Sequence, residues 1–414
     1  MVTGNRTFDL LEEDEALLSF IYARFYQRGE SQAVSVIRAS RLFQRESGRW
    51  RMDPHQQLES IVVTGSSGFI GTKLLERLAP NSRVIGFDYK NPLDPVSGVT
   101  YIPVDLTSDE SVNEAFAQLK VGEAIAEEKT EASHAIDAVV HLAAYYDFSG
   151  ESNPKYDEVT VKGTRRLMKA LHSFDVGRFI FSSTMLVHAP SAPGQKMNED
   201  WPIEPKWPYP ESKTQTEDLI LRERGRMPVA ILRVAGVYDD ICDSVPIANQ
   251  IQRIYESQII SHLWPGDKSH GQAFIHLDDL IDAFVKIIER RKELPDDLVL
   301  LLGEEETPSY EDLQNEIGRL IHGEAWATEE IPKVVAKAGA WLQDAIPGED
   351  PFIKPWMVDI ADDHYELDIS RAKELLDWEP KHSLMSTLPK MVEALKQDPR
   401  GWYAHHKLEG KPQG

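Results

Sequence analysis

Tyr209 and Lys213 stand four residues apart in Tyr-Pro-Glu-Ser-Lys, a spacing that puts both side chains on one face at the start of a helix. A phenol with a pKa near ~10 is a poor base at neutral pH, and a neighbouring ammonium favours its ionised form. The pair therefore suits proton transfer at a substrate oxygen. A second set of residues suits anion binding. In Ile61-Val-Val-Thr-Gly-Ser-Ser-Gly-Phe-Ile-Gly71, three glycines join a short apolar run to a helical one. Gly65 permits the tight turn, Gly68 lets a pyrophosphate approach the backbone, and Gly71 lets helix and strand pack closely. Phosphates then rest on the helix start, at Phe69 and Ile70, beside Ser67. Asp88 lies 23 residues after Gly65, at the end of the next apolar run. A carboxylate there accepts from ribose hydroxyls and repels a 2′-phosphate. No Arg lies in the glycine loop, so NAD is expected in preference to NADP, with Lys90 near enough to keep NADP as the alternative.

These residues need elements to hold them. Short apolar runs alternate with helical segments from Ser60 onward. Strands are expected at Ile61–Val63, Arg83–Phe87, Val99–Val104, Asp137–His141, Arg178–Ser182 and Val229–Arg233, with helices at Phe69–Leu78, Gly163–Phe174 and Glu211–Glu223. Alternation of this kind predicts an α/β fold, a Rossmann-type doubly wound parallel sheet. Lys120–His134, rich in Glu and Ala, is expected to extend one helix as a solvated insert. Beyond Val237 the alternation loosens into helices at Pro246–Glu256, Leu277–Arg290, Tyr310–Ile321 and Val334–Asp344, read as a smaller carboxyl-terminal substrate lobe. Ahead of the sheet, Phe8–Arg28 has helical apolar spacing, and Val34–Phe43 with Gly48–Met52 reads as a hairpin. The expected organisation is an amino-terminal helix/hairpin extension over 1–58, a dinucleotide-binding domain over 59–240, mainly substrate lobe over 241–400 with some segments returning to the sheet core, and a tail over 401–414.

The formal net charge of −23 argues against a nucleic-acid partner, which needs a basic footprint. Cys242 is the single cysteine, so an internal disulfide and a cysteine-based zinc cluster are both excluded, and it is expected to be buried packing. No metal site is expected. The amino terminus lacks the basic-then-apolar order of a secretory signal, and no apolar run reaches the ~20 residues of a membrane helix. A cytoplasmic location and no membrane partner are the expectations.

Taken in order, several motifs make the chain recognisable: Thr64-Gly-Ser-Ser-Gly-Phe-Ile-Gly71, His141-Leu-Ala-Ala144, Phe181-Ser-Ser-Thr184, Tyr209-x-x-x-Lys213, Phe274-Ile-His-Leu-Asp-Asp-Leu280 and Leu367-Asp-Ile-Ser-Arg-Ala-Lys-Glu-Leu-Leu-Asp-Trp-Glu-Pro380. Together they resemble the extended short-chain dehydrogenase/reductase family, in its NAD-dependent epimerase/dehydratase branch, over roughly Ser60 to Leu395. The resemblance implies hydroxyl/carbonyl interconversion by hydride exchange with a nicotinamide. It makes Tyr209 the general acid/base, Lys213 its partner and a holder of the nicotinamide ribose, and Thr184 the hydroxyl that binds the reacting oxygen. It further implies that Asp105 and Leu106 contact the adenine and that Leu142, Ala143 and Ala144 pass the nicotinamide side. His276 falls in a motif that shapes the lobe boundary and is read as structural. A homodimer is the expectation drawn from relatives.

Departures from the family pattern narrow the chemistry. Nucleotide-sugar 4,6-dehydratases carry an Asp-Glu pair directly after the active-site Thr; here Met185 and Leu186 stand there, and neither transfers a proton. Nucleotide-sugar epimerases carry Arg-Asp-Phe where this chain has Gln272-Ala-Phe274, and a neutral Gln does not replace a diphosphate-binding Arg, although Arg253 or Lys268 offers a substitute. Thr160 replaces an Asn of the pattern. Tyr146 opens the segment where the family begins its substrate loop, so Tyr146, Met185 and Gln272 are taken as substrate contacts. Trp264, Trp326, Trp341, Phe352, Trp356 and Met357 are read chiefly as core, and an apolar substrate follows if several of them line a cleft. The leading expectation is an NAD-dependent oxidoreductase or epimerase acting on a small-molecule secondary alcohol or ketone. A nucleotide-sugar epimerase and a non-catalytic dinucleotide-sensing or scaffold protein are the alternatives.

Overall fold

The computed structural model describes residues 43–46, 49–52, 59–126, 135–147, 150–344 and 353–410. Phe43–Glu46 (β1) and Arg49–Met52 (β2) pair antiparallel, with Phe43 opposite Met52. The helix expected over 8–28 and the start of the strand expected from Val34 lie outside the described residues, as do residues 127–134 of the expected insert. The chain divides into two units: residues 1–143 with 170–177, and residues 144–169 with 178–414.

In the first unit Ser60–Thr64 (β3) is buried at every position. Ile61, Val62 and Val63 run apolar without alternation, as a parallel strand covered on both faces requires. Phe69–Leu78 (α1) follows, and buries Gly71, Leu74, Leu75 and Leu78. Arg83–Asp88 (β4), Val99–Pro103 (β5), Asp109–Ala126 (α2), Ala135–Ile136 (β6) and Ala138–His141 (β7) complete the run. The strands lie parallel in the order β7-β3-β4-β5, with His141 beside Thr64 and Thr64 beside Phe87. The carboxyl ends of three strands thus line up where the glycine turn leaves β3. Asp175–Val176 (β8) pairs with β6.

In the second unit a π-helical turn over Tyr156–Val161 runs into Lys162–Leu171 (α3), an earlier start than the helix expected from Gly163. Phe179–Thr184 (β9), Val229–Val234 (β10) and a strand at Asp297–Leu302 (β14) lie parallel, with Thr184 beside Val234 and Val234 beside Leu302. Between β9 and β10 runs Pro208–Glu223 (α4), which starts three residues ahead of the expected Glu211. Pro208 and Pro210 occupy its first turn, where the missing N–H groups would have no intrahelical partner in any case.

Two short parallel pairs follow: Gly236–Tyr238 (β11) with Phe274–His276 (β13), and Leu263–Pro265 (β12) with Glu329–Ile331 (β15). The helices Val245–Tyr255 (α5), Leu277–Glu289 (α6), Tyr310–His322 (α7) and Lys333–Asp344 (α8) fall close to their expected places. Pro355–Asp359 (α9), Ser370–Leu376 (α10), Leu384–Gln397 (α11) and Pro399–His405 (α12) come last. Cys242, Ile251, Phe274, Ile317, Trp326, Leu388, Trp402 and Tyr403 belong to one apolar core in this unit. Cys242 is therefore packing, and α12, which runs into the tail expected over 401–414, buries Trp402 and Tyr403.

Candidate active site

The chain turns from β3 into α1 at Gly65, whose φ of +70° lies in the left-handed region. A Cβ there would meet Ala143 N at 2.9 Å, and a Cβ on Gly71 would stand 2.1 Å from the Gly65 carbonyl oxygen. Both positions demand glycine. The Gly68 N–H closes the turn on Gly65 O at 3.1 Å. Gly68 caps α1 with no side-chain hydrogen bond, and no acidic residue occupies the first helical turn. Gly68 and Phe69 are exposed and Ser67 and Ile70 half-buried. An uncapped, accessible helix start fits a phosphate.

Asp88 Oδ2 accepts from Ser67 N–H at 2.9 Å and Oδ1 from Tyr89 N–H at 2.7 Å, so the carboxylate braces the glycine loop. Each oxygen retains acceptor capacity for a ribose hydroxyl. The Lys90 ammonium lies 5.8 Å from the centre of the Tyr89 ring. Asp105 Oδ1 accepts from the N–H and hydroxyl of Thr107, at 2.8 and 2.7 Å, and Leu106 beside it is buried. Thr64 Oγ1 lies 2.6 Å from the buried His141 Nδ1 and accepts from Ala143 N–H at 3.2 Å, which fixes the start of the Leu142–Ala144 stretch.

In the second unit, Thr184 ends β9 and is 6% exposed. Its Oγ1 accepts from Leu186 N–H at 3.3 Å, which leaves the hydroxyl proton to donate elsewhere. Ser183, its neighbour, instead donates to Glu217. Tyr209 sits in the first turn of α4 behind the cap Trp207, and its hydroxyl has no hydrogen-bond partner among the described residues. Lys213, one turn on, is 3% exposed. Its Nζ donates to Ser182 O at 2.7 Å and lies 4.8 Å from the Phe181 ring centre and 5.7 Å from that of Tyr209. The helix that carries the phenol is thereby tied to the strand that ends at Thr184.

The electrostatics correct one expectation. Burial holds Lys213 down to about 7, with Glu217 pulling it partly back, and burial raises the Tyr209 phenol above its ordinary value, Tyr156 adding to the effect. In the protein alone desolvation outweighs the help an ammonium gives to a phenolate. Tyr209 is thus a neutral phenol at rest.

Of the remaining expected contacts, Tyr146 is 46% exposed, Met185 is buried at 2%, and Gln272 is half-buried where it bridges to Tyr365. Lys268 is paired with Glu311 at 2.9 Å. His276 caps α6, accepting from Asp278 N–H at 3.1 Å, as a structural residue would. Thr160 Oγ1 accepts from Tyr145 N–H at 3.0 Å, so the residue that replaces the pattern's Asn anchors the segment bearing Tyr146.

A model of the NAD dependent epimerase/dehydratase family matches residues 61–303, well over half of the chain. The chain belongs to that family. Among curated members it is 27% identical over 346 residues to a UDP-glucose 4-epimerase of Mycolicibacterium smegmatis, covering 80% of this chain and 97% of that one. It is 26% identical over 261 residues to a dTDP-D-glucose 4,6-dehydratase of Dictyostelium discoideum, covering 57% of each, so the chain spans little more than half of that relative. The solved Thermus thermophilus UDP-glucose 4-epimerase, in complex with NAD, superposes with a TM-score of 0.60 at 20% identity, over 82% of this chain and 99% of that one. The likeness shows the Rossmann-type fold that the strand alternation implied.

Two features of this family member were not anticipated from the sequence. Glu217, one turn beyond Lys213, binds Arg233 Nη2 at 2.7 Å and Nε at 3.2 Å through Oε2, while Arg233 Nη1 lies 3.1 Å from His188 Nε2 and donates to Glu199 O at 2.8 Å. His188 is held down to about 4, by burial first and then by Arg233. The i, i+4 relation of Lys213 and Glu217 was a visible sign that both share one helix face. Trp207, two residues before Tyr209, carried no such sign.

Proposed function

We propose that the chain interconverts a secondary alcohol and a ketone, with Tyr209 moving the proton, Lys213 supporting it and Thr184 holding the reacting oxygen. One observation carries the reading: an unpartnered phenol shares a helix face with a buried lysine bonded to the strand that ends at Thr184. Gly65, Ser67, Gly68, Phe69, Ile70 and Gly71 would hold the pyrophosphate of NAD, and Asp88 its adenosine ribose. Asp105 and Leu106 would face the adenine, and Leu142, Ala143, Ala144 and Lys213 the nicotinamide side. Bound there, NAD supplies the hydride acceptor or donor. In the oxidising direction the Tyr209 phenolate, its own proton already released to solvent, takes the proton of the substrate hydroxyl while the Thr184 hydroxyl donates to the forming carbonyl oxygen; in the reducing direction the neutral phenol gives that proton back. Burial opposes ionisation of Tyr209, so Lys213 has to be in its ammonium form to offset it.

Met185 is buried and, like Leu186, offers no proton-transfer group, which disfavours 4,6-dehydration. Nucleotide-sugar epimerisation is the second reading, favoured by coverage of 97% of the Mycolicibacterium smegmatis relative. The two readings differ in what happens to the cofactor. An epimerase regenerates NAD in each cycle and is expected to purify with it, as nucleotide analysis of the denatured protein would show. A net dehydrogenase gives a stoichiometric rise of the reduced-nicotinamide absorbance on adding substrate. Failure of the purified chain to bind NAD by calorimetry contradicts both. Binding of NAD with no turnover of sugars, steroids or aldehydes supports the non-catalytic alternative instead. The homodimer expectation is read separately, by sedimentation.

A further inference from the structure

Two aromatic side chains flank the Tyr209 ring, Tyr146 and the largely buried Trp207, and Trp356 packs against Trp207 from a third segment. Tyr146 meets the Tyr209 ring edge-on, with centroids 4.6 Å apart at 76°. Trp207 lies 5.4 Å from Tyr209 and 6.2 Å from Tyr146. Trp356, on α9, lies 4.8 Å from Trp207 at 33°. Gly150 makes room for it: a Cβ there would stand 2.1 Å from Trp356 Nε1, and its φ of +72° suits glycine alone. The Tyr146 segment is held in place by Thr160 on Tyr145 N–H, by the Tyr145 hydroxyl donating to Asp147 Oδ2 at 3.1 Å, and by the Tyr156 hydroxyl donating to Asp147 O at 3.2 Å. Tyr146 is nevertheless 46% exposed, an aromatic face displayed rather than stored in a core.

Lys206, next to Trp207, gives its ammonium to both oxygens of Asp363 at 2.8 Å. Lys268 is paired with Glu311, and Gln272 is neutral. Arg253 is the remaining cation of those considered for a diphosphate; it is half-buried, held down to about 10 by burial, and has no partner among the described residues.

We propose that Tyr146, Trp207 and Trp356 form the substrate-selecting wall and that the substrate presents an apolar ring, an alicyclic or fused-ring secondary alcohol or ketone, rather than a sugar on a nucleoside diphosphate. This rests on Tyr209 being the acid/base. Ring faces reward apolar area and flat contact, whereas the hydroxyls of a sugar need several directed partners. The polar groups these three side chains carry are one phenol hydroxyl and two indole N–H groups.

The test titrates cyclohexanone, 2-tetralone, a 3-keto steroid and UDP-glucose into the NADH-loaded full chain, following tryptophan fluorescence for binding and loss of reduced nicotinamide for turnover. At least one ring ketone is expected to bind more tightly than UDP-glucose and to be reduced. Tyr146→Ala and Trp356→Ala are each expected to weaken that ketone about tenfold, the upper range for lost aromatic contacts. Tyr146 is exposed enough that its variant should fold even if Trp356→Ala does not. Tighter binding of UDP-glucose, no ketone binding, or ketone affinity indifferent to a folded Tyr146→Ala variant overturns the proposal. A ketone that binds in a wall-dependent way but is not reduced leaves the selectivity standing and overturns the catalytic reading beneath it.

Discussion

Lys213→Met isolates what the buried ammonium costs the fold. Burial holds Lys213 at about 7 against an ordinary 10.5, so the unfolded chain binds the additional proton between those values. Stability therefore climbs with pH through that window, and the full penalty is present below about 7. At 1.36 kcal/mol per pKa unit the penalty is about 4–5 kcal/mol near pH 6 and about 2 kcal/mol near pH 9. Methionine fills the space without the charge but leaves Ser182 O without its donor, a loss of about 1–3 kcal/mol. The variant should thus be about 2 kcal/mol more stable than the parent near pH 6 and about equal to it near pH 9, while turnover is lost. Urea unfolding of both cofactor-free proteins at the two pH values measures this. The Ser182 contribution is the same at both, so the change in the difference, about 2–3 kcal/mol, is the quantity to read. A stability difference that does not move with pH refutes a buried lysine titrating near neutrality.

Glu217→Gln leaves the Arg233 guanidinium, 8% exposed, without its carboxylate, and urea unfolding should show a loss of about 3 kcal/mol or more; a loss below about 1 kcal/mol contradicts the role assigned to the pair. Glu304 is raised by burial to about 7 from 4.5, so the native state keeps a proton that the unfolded chain releases, and stability falls as pH rises through that range. Glu304→Gln keeps an oxygen for Leu384 N–H and should stabilise the protein by up to ~3 kcal/mol near pH 8 and little near pH 4, as thermal unfolding at the two pH values would show. Equal effects at both pH values would count against a neutral Glu304.

The strand-turn-helix at Gly65 was legible to the residue, because a tight turn, a phosphate approach and a close helix contact each demand glycine, and α1 runs over Phe69–Leu78 as its pattern implied. β14 was not legible. After Asp297, Leu-Val-Leu-Leu-Leu is a continuous apolar run without a period, which suits a buried strand and a buried helix equally. The start of α4 was misplaced because Pro208 and Pro210 look like breakers, yet in a first turn they remove only N–H groups that lack helical partners. At the site, Tyr209 and Lys213 could be paired from their spacing, but not the resting state of either. That depends on burial by residues distant in sequence, and burial turned the expected depression of the phenol into a rise. The wall beside Tyr209 was hidden for the same reason: Tyr146, Trp207 and Trp356 meet only through the fold.

The most direct test of the account is Tyr209→Phe, which removes the phenolic oxygen and keeps the ring packed against Tyr146 and Trp207. Calorimetry with NAD and turnover of any substrate found for the parent are measured side by side. NAD affinity is expected within about twofold of the parent and turnover lowered by about 100-fold or more. Turnover that persists, or a parallel loss of NAD binding and turnover, contradicts Tyr209 as the group that moves the proton.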